Sequence, residues 1–317
     1  MKIIIPGGSS YIGSRLVPQL LTEGHEVTVY DTLVFGDGFL PANANLTLVK
    51  ADVRDAHSWR SACQGKEAVI YLAGISREIT HRQQPSLTHA INVGCFSTNV
   101  SIAKQEGVKR FIFASSVAVY GNSETPSVES SPLIPVSLYG KGKKSCEEEL
   151  WAYGSSEFTV AATRSGSVCG YAPRMRFDLT LNKMTHDAFR FGAITVENAN
   201  QKRSHVHIQD LCDLYALLLS APKETIEGAA FNVASENQTL LESAQMVASA
   251  IGNTTVSFTN LTEHFSFPVD GSKVKTLGFD YGKSLSDAVN EVWLKFDSGY
   301  WMDSLTNPLY KNMVDYV

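Results

Sequence analysis

A β-branched run, a glycine turn and an amphipathic helix stand at the start of this chain, and they restrict what it can fold into. It opens MKIIIPGGSSYIGSRLVPQLLTEGHEVTVYD. Lys2 to Ile5 has the composition of a buried strand. Gly7, Gly8 and Gly13 bracket a tight turn into a helix carried by Leu16, Val17 and Leu20, and Gly24 ends that helix. Val27 to Tyr30 reads as the next strand and closes on Asp31. This is a β-α-β unit, whose helix N-terminus suits a pyrophosphate and whose second strand ends in an acid suited to ribose hydroxyls. The spacing is G-x-x-S-x-x-G, with Ser10 where the middle glycine normally lies. A carboxylate at Asp31 repels a 2′-phosphate, and Thr32 and Leu33 follow it rather than an arginine, so the pattern selects NAD over NADP. The plainer reading of Asp31 is a side chain that caps the strand-to-loop turn.

A second block carries reactive groups. Phe111 to Gly121 reads FIFASSVAVYG, and SLYGKGK follows after a proline-containing loop. Of the twelve tyrosines, only Tyr139 has a lysine four residues later. On a helix Lys143 lies one turn along the same face, where its ammonium favours the phenolate. Ser116, at the end of an apolar strand, adds a hydroxyl. The three suit removal of a proton from an alcohol while hydride leaves the same carbon. Taken alone, a tyrosine and a lysine at this spacing are more often a solvated helix surface; the upstream dinucleotide unit gives the pair its meaning.

Further blocks fall in a consistent order: ADVRD at Ala51–Asp55, VIYLAG at Val69–Gly74, INV at Ile91–Val93, YGKGK, TRSGSVCGYAPRMRFDLTLN, RSHVHIQDL and LGFDYGKSLSDAV. Together with PGGSSYIG they resemble the extended short-chain dehydrogenases/reductases, in particular the nucleotide-sugar epimerase/dehydratase branch. The resemblance covers nearly the whole length. It implies that Gly7, Ser10, Tyr11, Ile12, Gly13 and Asp31 hold NAD, that Asp52 and Val53 contact its adenine, and that Leu72, Ala73 and Gly74 pass beneath its pyrophosphate and ribose. Asn92 would lie near the cofactor. Tyr139 would be the catalytic acid or base, Lys143 its partner on the nicotinamide ribose, and Ser116 the hydroxyl that polarises the sugar oxygen. Read without the resemblance, Leu72 and Ala73 are ordinary buried strand and Asn92 is a helix N-cap.

The same resemblance guides the substrate side. Asn182 and Arg203 match family positions that hold a nucleotide diphosphate, and Arg174 and Arg176 add positive charge nearby. The alternative is that these arginines are ordinary surface loop residues. A second family arginine is missing, because Glu263–Asp270 reads EHFSFPVD, and Ser167 and Cys169 stand where the family often has Asn and Tyr. Dehydratases of the family carry an Asp-Glu pair directly after the catalytic hydroxyl; Val117 and Ala118 occupy those positions and transfer no protons. Epimerisation through a transient ketone is the leading reading, with carbinol dehydrogenation or ketosugar reduction as the alternative. Ser76 replaces the lysine that often retains NAD in recycling epimerases, with Arg77 next to it. A non-catalytic dinucleotide sensor is a third class, disfavoured because Ser116, Tyr139 and Lys143 are all present.

The 317 residues carry a net charge of −5 and 44% hydrophobic residues, enough for a large core and without a basic stripe for nucleic acid. No apolar run approaches the roughly 20 residues needed to span a bilayer. Five cysteines form no C-x-x-C, which fits a reducing, cytoplasmic setting. His205 and His207 alternate on one strand face without a third ligand, so no metal is expected.

Strands are expected near 2–5, 26–30, 46–50, 68–72, 110–115 and 158–163, with helices at 12–23, 56–64, 85–107 and 138–153. The alternation predicts an α/β fold, a doubly wound parallel (Rossmann) sheet with a smaller C-terminal substrate-binding lobe. Residues 1–170, with 201–235 returning, would form the NAD-binding domain, and 171–200 with 236–317 the substrate lobe. Ile91, Phe96, Val100, Leu150 and Trp151 look surplus to one sheet face. By the resemblance, their helices would pair in a homodimer.

Overall fold

The computed structural model describes residues 1–259 and 266–312. Its first half alternates strand and helix: β1 (Lys2–Pro6), α1 (Tyr11–Thr22), β2 (Glu26–Asp31), β3 (Leu46–Lys50), α2 (Ala56–Cys63), β4 (Ala68–Tyr71), α3 (Glu78–Gln83), α4 (Pro85–His89), α5 (Phe96–Gln105), β5 (Arg110–Ser116), α6 (Leu138–Trp151) and β6 (Thr159–Ser165). Then come β7 (Ser167–Cys169), α7 (Thr180–Phe191), β8 (Ala193–Glu197), β9 (Lys202–His207), α8 (Ile208–Ser220), α9 (Lys223–Ile226) and β10 (Ala229–Val233). β11 (Glu236–Thr239), α10 (Leu240–Ile251), β12 (Thr255–Thr259) and α11 (Leu285–Asp297) complete the order.

Seven strands form one sheet in the order β10-β6-β5-β4-β1-β2-β3, and every pairing in it is parallel. Parallel strands are buried on both faces, which is why β1 reads as an unbroken apolar run. Alternation then divides the core. Ile3 and Ile5 join Leu16, Val17 and Leu214 under α1 and α8. Ile4 faces the other way, toward Trp59, Phe96, Val100 and Leu150 of α2, α5 and α6. The chain order reverses between β1 and β4, and such a switch point opens a crevice at the carboxyl ends of the strands.

Two findings differ from the sequence expectations. The helix expected over 85–107 is α4, then a π-helical turn at Ala90–Gly94, then α5; the turn aims the Asn92 amide at the Ile75 backbone, 2.8 Å from its N–H and 2.7 Å from its carbonyl oxygen. Phe96, Val100 and Leu150 are fully buried inside the protein, while Ile91 and Trp151 pack against the same cluster. Phe96, Val100 and Leu150 therefore complete one face of the sheet, and Ile91 and Trp151 stay partly exposed beside it. Within 201–235, β9 pairs with β7 and β11 in a small sheet, and β10 joins the large sheet beside β6.

Candidate active site

The turn after β1 is built by close backbone approach. A Cβ on Gly7 would stand 2.6 Å from the Ala73 nitrogen, and one on Gly13 would stand 2.3 Å from the Gly8 carbonyl oxygen. Gly7 also has φ +80°, a conformation that glycine adopts without strain. Ser10 is the N-cap of α1, its hydroxyl accepting from the Gly13 amide at 3.3 Å. Serine at the middle-glycine position therefore starts the helix whose N-terminus faces the pocket.

That pocket is lined by Gly7, Ser10, Asp31, Asp52, Val53, Leu72, Ala73 and Gly74, among others. Asp31 accepts from the Ser9 amide at 3.0 Å and the Leu33 amide at 2.9 Å. Burial pushes its carboxyl above the usual range, against the pull of those two amides. Asp52 is tied to Arg54 by two side-chain hydrogen bonds of 2.9 and 2.6 Å. A glycine cradle, a helix N-terminus and a strand-end carboxylate on one cavity fit NAD: backbone amides for the pyrophosphate and Asp31 for the ribose.

A second, larger cavity continues from the first, sharing Ser10, Phe35, Leu72 and Gly74. Ser116, Tyr139 and Lys143 all line it, as do Tyr11, Ile12, Arg174, Arg176 and Arg203. The Lys143 ammonium donates to the Ala114 carbonyl at 2.5 Å and lies 5.6 Å from the centre of the Tyr139 ring. Ser116 ends β5 with its hydroxyl accepting from the Ala118 amide at 3.2 Å. Thus α6 and the end of β5 bring the three reactive groups to one cavity. Val117 and Ala118 line it too.

The substrate side is uneven in its charges. Arg203 lines the cavity, stacks 4.9 Å over Phe267, and has no carboxylate partner among the described residues. Burial pulls its guanidinium down to about 10. Arg176 is neutralised: it donates to both Asp178 oxygens, at 3.0 and 2.6 Å, and to the Ser76 hydroxyl at 3.0 Å. Arg174 stacks 3.7 Å over Phe35 and donates to Leu309 and Asn312, fastening the loop after β2 to the far end of the described chain. Asn182 differs from expectation. It is 1% exposed and its amide holds the Gly170 N–H, the Tyr11 hydroxyl and the Arg176 carbonyl, so it braces the cavity wall from behind. Glu263, of the stretch that lacks the second arginine, lies outside the described residues.

Sequence reasoning missed three contributors. Phe267 pairs with Arg203 through an isolated bridge between segments far apart in the chain, a link no local pattern reveals. Glu78 accepts from the Leu138 and Tyr139 amides, each at 3.3 Å, and so caps α6 from another helix. His81 meets the Tyr139 ring edge-on at 5.7 Å.

Known proteins answer to the same arrangement. The model of the NAD dependent epimerase/dehydratase family matches residues 3–234. A UDP-glucose 4-epimerase of Lacticaseibacillus casei is 26% identical over 270 residues, 78% of this chain and 81% of that protein. A rice UDP-glucose 4-epimerase is 32% identical over 186 residues, 54% of this chain and 50% of the other. The dTDP-glucose 4,6-dehydratase DesIV of Streptomyces venezuelae, solved with NAD and TYD bound, superposes with a TM-score of 0.85. It is 25% identical, with 96% of this chain and 99% of that one covered. With a match across more than half its length, and with the glycine cradle and the Ser116–Tyr139–Lys143 cavity in place, this chain belongs to the NAD-dependent epimerase/dehydratase family.

Proposed function

We propose that the protein is an NAD-dependent epimerase of nucleotide-diphosphate sugars, inverting one carbinol carbon through a transient keto-sugar. The observation that carries this reading is the make-up of one cavity: Ser116, Tyr139 and Lys143 line it together, while its nearest alternatives for proton transfer, Val117 and Ala118, are inert. An elimination needs an acid and a base at neighbouring carbons; a reversible oxidation at one carbon needs only the first three groups. UDP-glucose 4-epimerases among the relatives support the same choice.

Bound in the glycine cradle, NAD supplies a hydride acceptor and donor. Tyr139 takes the carbinol proton as the carbon is oxidised and returns it after the sugar has presented its other face. Lys143, held by the Ala114 carbonyl, keeps its ammonium 5.6 Å from the centre of the Tyr139 ring. Ser116 donates a hydrogen bond to the same sugar oxygen. Arg203, half-buried and with no carboxylate partner among the described residues, holds the diphosphate by charge-assisted hydrogen bonds.

A net carbinol dehydrogenase is the second reading, favoured by Ser76, which offers no cation of its own for cofactor retention. Incubation with UDP-, dTDP-, GDP- and CDP-hexoses, followed by proton NMR, separates the two. Interconversion of epimers without accumulation of reduced cofactor supports the epimerase, and stoichiometric reduction of added NAD supports the dehydrogenase. No helix among the described residues is long and apolar enough to cross a membrane. A cytoplasmic, homodimeric protein completes the reading: all five cysteines are free, and pairing through α5 and α6 is implied by the family resemblance alone.

A further inference from the structure

Tyr139, Lys143 and Glu147 lie at successive turns of one face of α6, yet only the first two reach the cavity. Glu147 is 0% exposed and faces Arg164 of β6. Arg164 donates through Nε to both carboxylate oxygens, at 3.0 and 3.1 Å, and through Nη2 at 2.6 Å. The Ser115 hydroxyl donates to the same carboxylate at 2.5 Å. Ser115 is paired in register with Arg164 and immediately precedes Ser116. The remaining Arg164 nitrogen donates to the Tyr120 hydroxyl at 2.8 Å and the Glu129 carbonyl at 3.0 Å. Tyr120 in turn donates to Asn232 of β10 at 2.6 Å.

Two consecutive residues of β5 are therefore read by two consecutive turns of α6: Ala114 by Lys143 and Ser115 by Glu147. Hydrophobic packing of a helix on a sheet leaves sliding along its axis weakly specified. A buried ion pair with bidentate geometry does not, because a shift of even part of a turn leaves charges unpaired. Such a pair is weak evidence for stability, since replacing both partners with apolar residues is often neutral or stabilising. Its value lies in specifying position.

We propose that Glu147 and Arg164 are positioning residues that fix the axial register of α6 against β5, and so hold Tyr139 and Lys143 opposite Ser116. This rests on the proposed function for its kinetic consequence but not for its structural one. The test compares the unaltered protein with Arg164→Lys and with the double variant Glu147→Leu/Arg164→Met. Lysine keeps the charge and loses the planar fork. The double variant should fold and bind NAD, with amide exchange in α6 accelerated. Its kcat should fall by roughly 10²-fold, the loss expected of a misplacement near 1 Å, with KM little changed. Arg164→Lys should show a smaller loss of the same kind. A folded double variant with unaltered exchange in α6, or with unaltered kcat, overturns the proposal. Failure of the double variant to fold also overturns it, because the pair is then a stability element. If the unaltered protein turns over no nucleotide sugar, the proposed function fails while the exchange comparison still decides the register.

Discussion

The Arg203 guanidinium lies 4.9 Å over the Phe267 ring, with no carboxylate to answer it among the described residues. An aromatic face holds a cation in place without neutralising it. The arginine is therefore kept charged, oriented and available to an anion, unlike Arg176, whose charge is spent on Asp178.

Arg203→Ala should accordingly weaken nucleotide-sugar binding by about 1.5–3 kcal/mol, the range for a hydrogen bond to a charged group. NAD binding should be unchanged, since Arg203 lines only the larger cavity. Titration calorimetry with each ligand checks both. Equal nucleotide-sugar affinity in the two proteins would move the reading toward a substrate without a diphosphate.

Cofactor choice turns on Asp31. Its two oxygens are fixed by the Ser9 and Leu33 amides, so the carboxylate cannot swing away from an added phosphate. NAD should bind at least about tenfold more tightly than NADP, a difference of about 1.4 kcal/mol. Asp31→Asn keeps an acceptor and removes the charge, and should narrow that ratio. Comparable affinities in the unaltered protein would remove the argument from Asp31.

His205 makes an acid-stability prediction. It is fully buried beside Arg203, and neither ring nitrogen has a hydrogen-bond partner among the described residues. Burial, then the Arg203 charge, pulls its folded value down to about 4. Between that value and its ordinary 6.5, the unfolded chain binds a proton that the folded protein refuses, so stability falls as pH drops through this window. The full loss is roughly 3 kcal/mol, because each pH unit of the window costs about 1.4 kcal/mol. Denaturant midpoints measured from pH 7 down to 4 should be less pH-dependent in His205→Phe. Identical slopes in the two proteins would show that other groups carry the acid sensitivity.

The fold was legible because a parallel strand is buried on both faces and leaves an apolar run bounded by glycine, and the cavity was legible because Tyr139 and Lys143 need only helical spacing. What stayed hidden depends on distant neighbours. Phe96, Val100 and Leu150 announced burial, but an apolar helix residue does not say whether its own sheet or another subunit buries it. Here it is the sheet. Asn182 matched a position facing ligand, yet its amide is consumed by Gly170, Tyr11 and Arg176, contacts made by folding segments together. Glu147 could have been read from its place two turns after Tyr139 on one face. Its partner in β6 could not.

The proposed chemistry rests on Tyr139. Its backbone amide is capped by Glu78 and its ring is flanked by His81 and Lys143, so Tyr139→Phe removes one oxygen while every one of these neighbours keeps its place. Folding and NAD binding should survive. Turnover on the identified nucleotide sugar should fall by roughly 10²–10⁴-fold, the usual contribution of a positioned acid or base. Ser116→Ala should cost less, because that hydroxyl polarises the sugar oxygen without carrying the proton away. Lys143→Met removes the ammonium beside the Tyr139 ring, and turnover should fall. It should also release the Ala114 carbonyl from its hydrogen bond. Steady-state rates and NAD affinities of the three variants separate these roles. Full activity in Tyr139→Phe would mean that another group handles the carbinol proton, and the assignment of the cavity would have to begin again from Ser116.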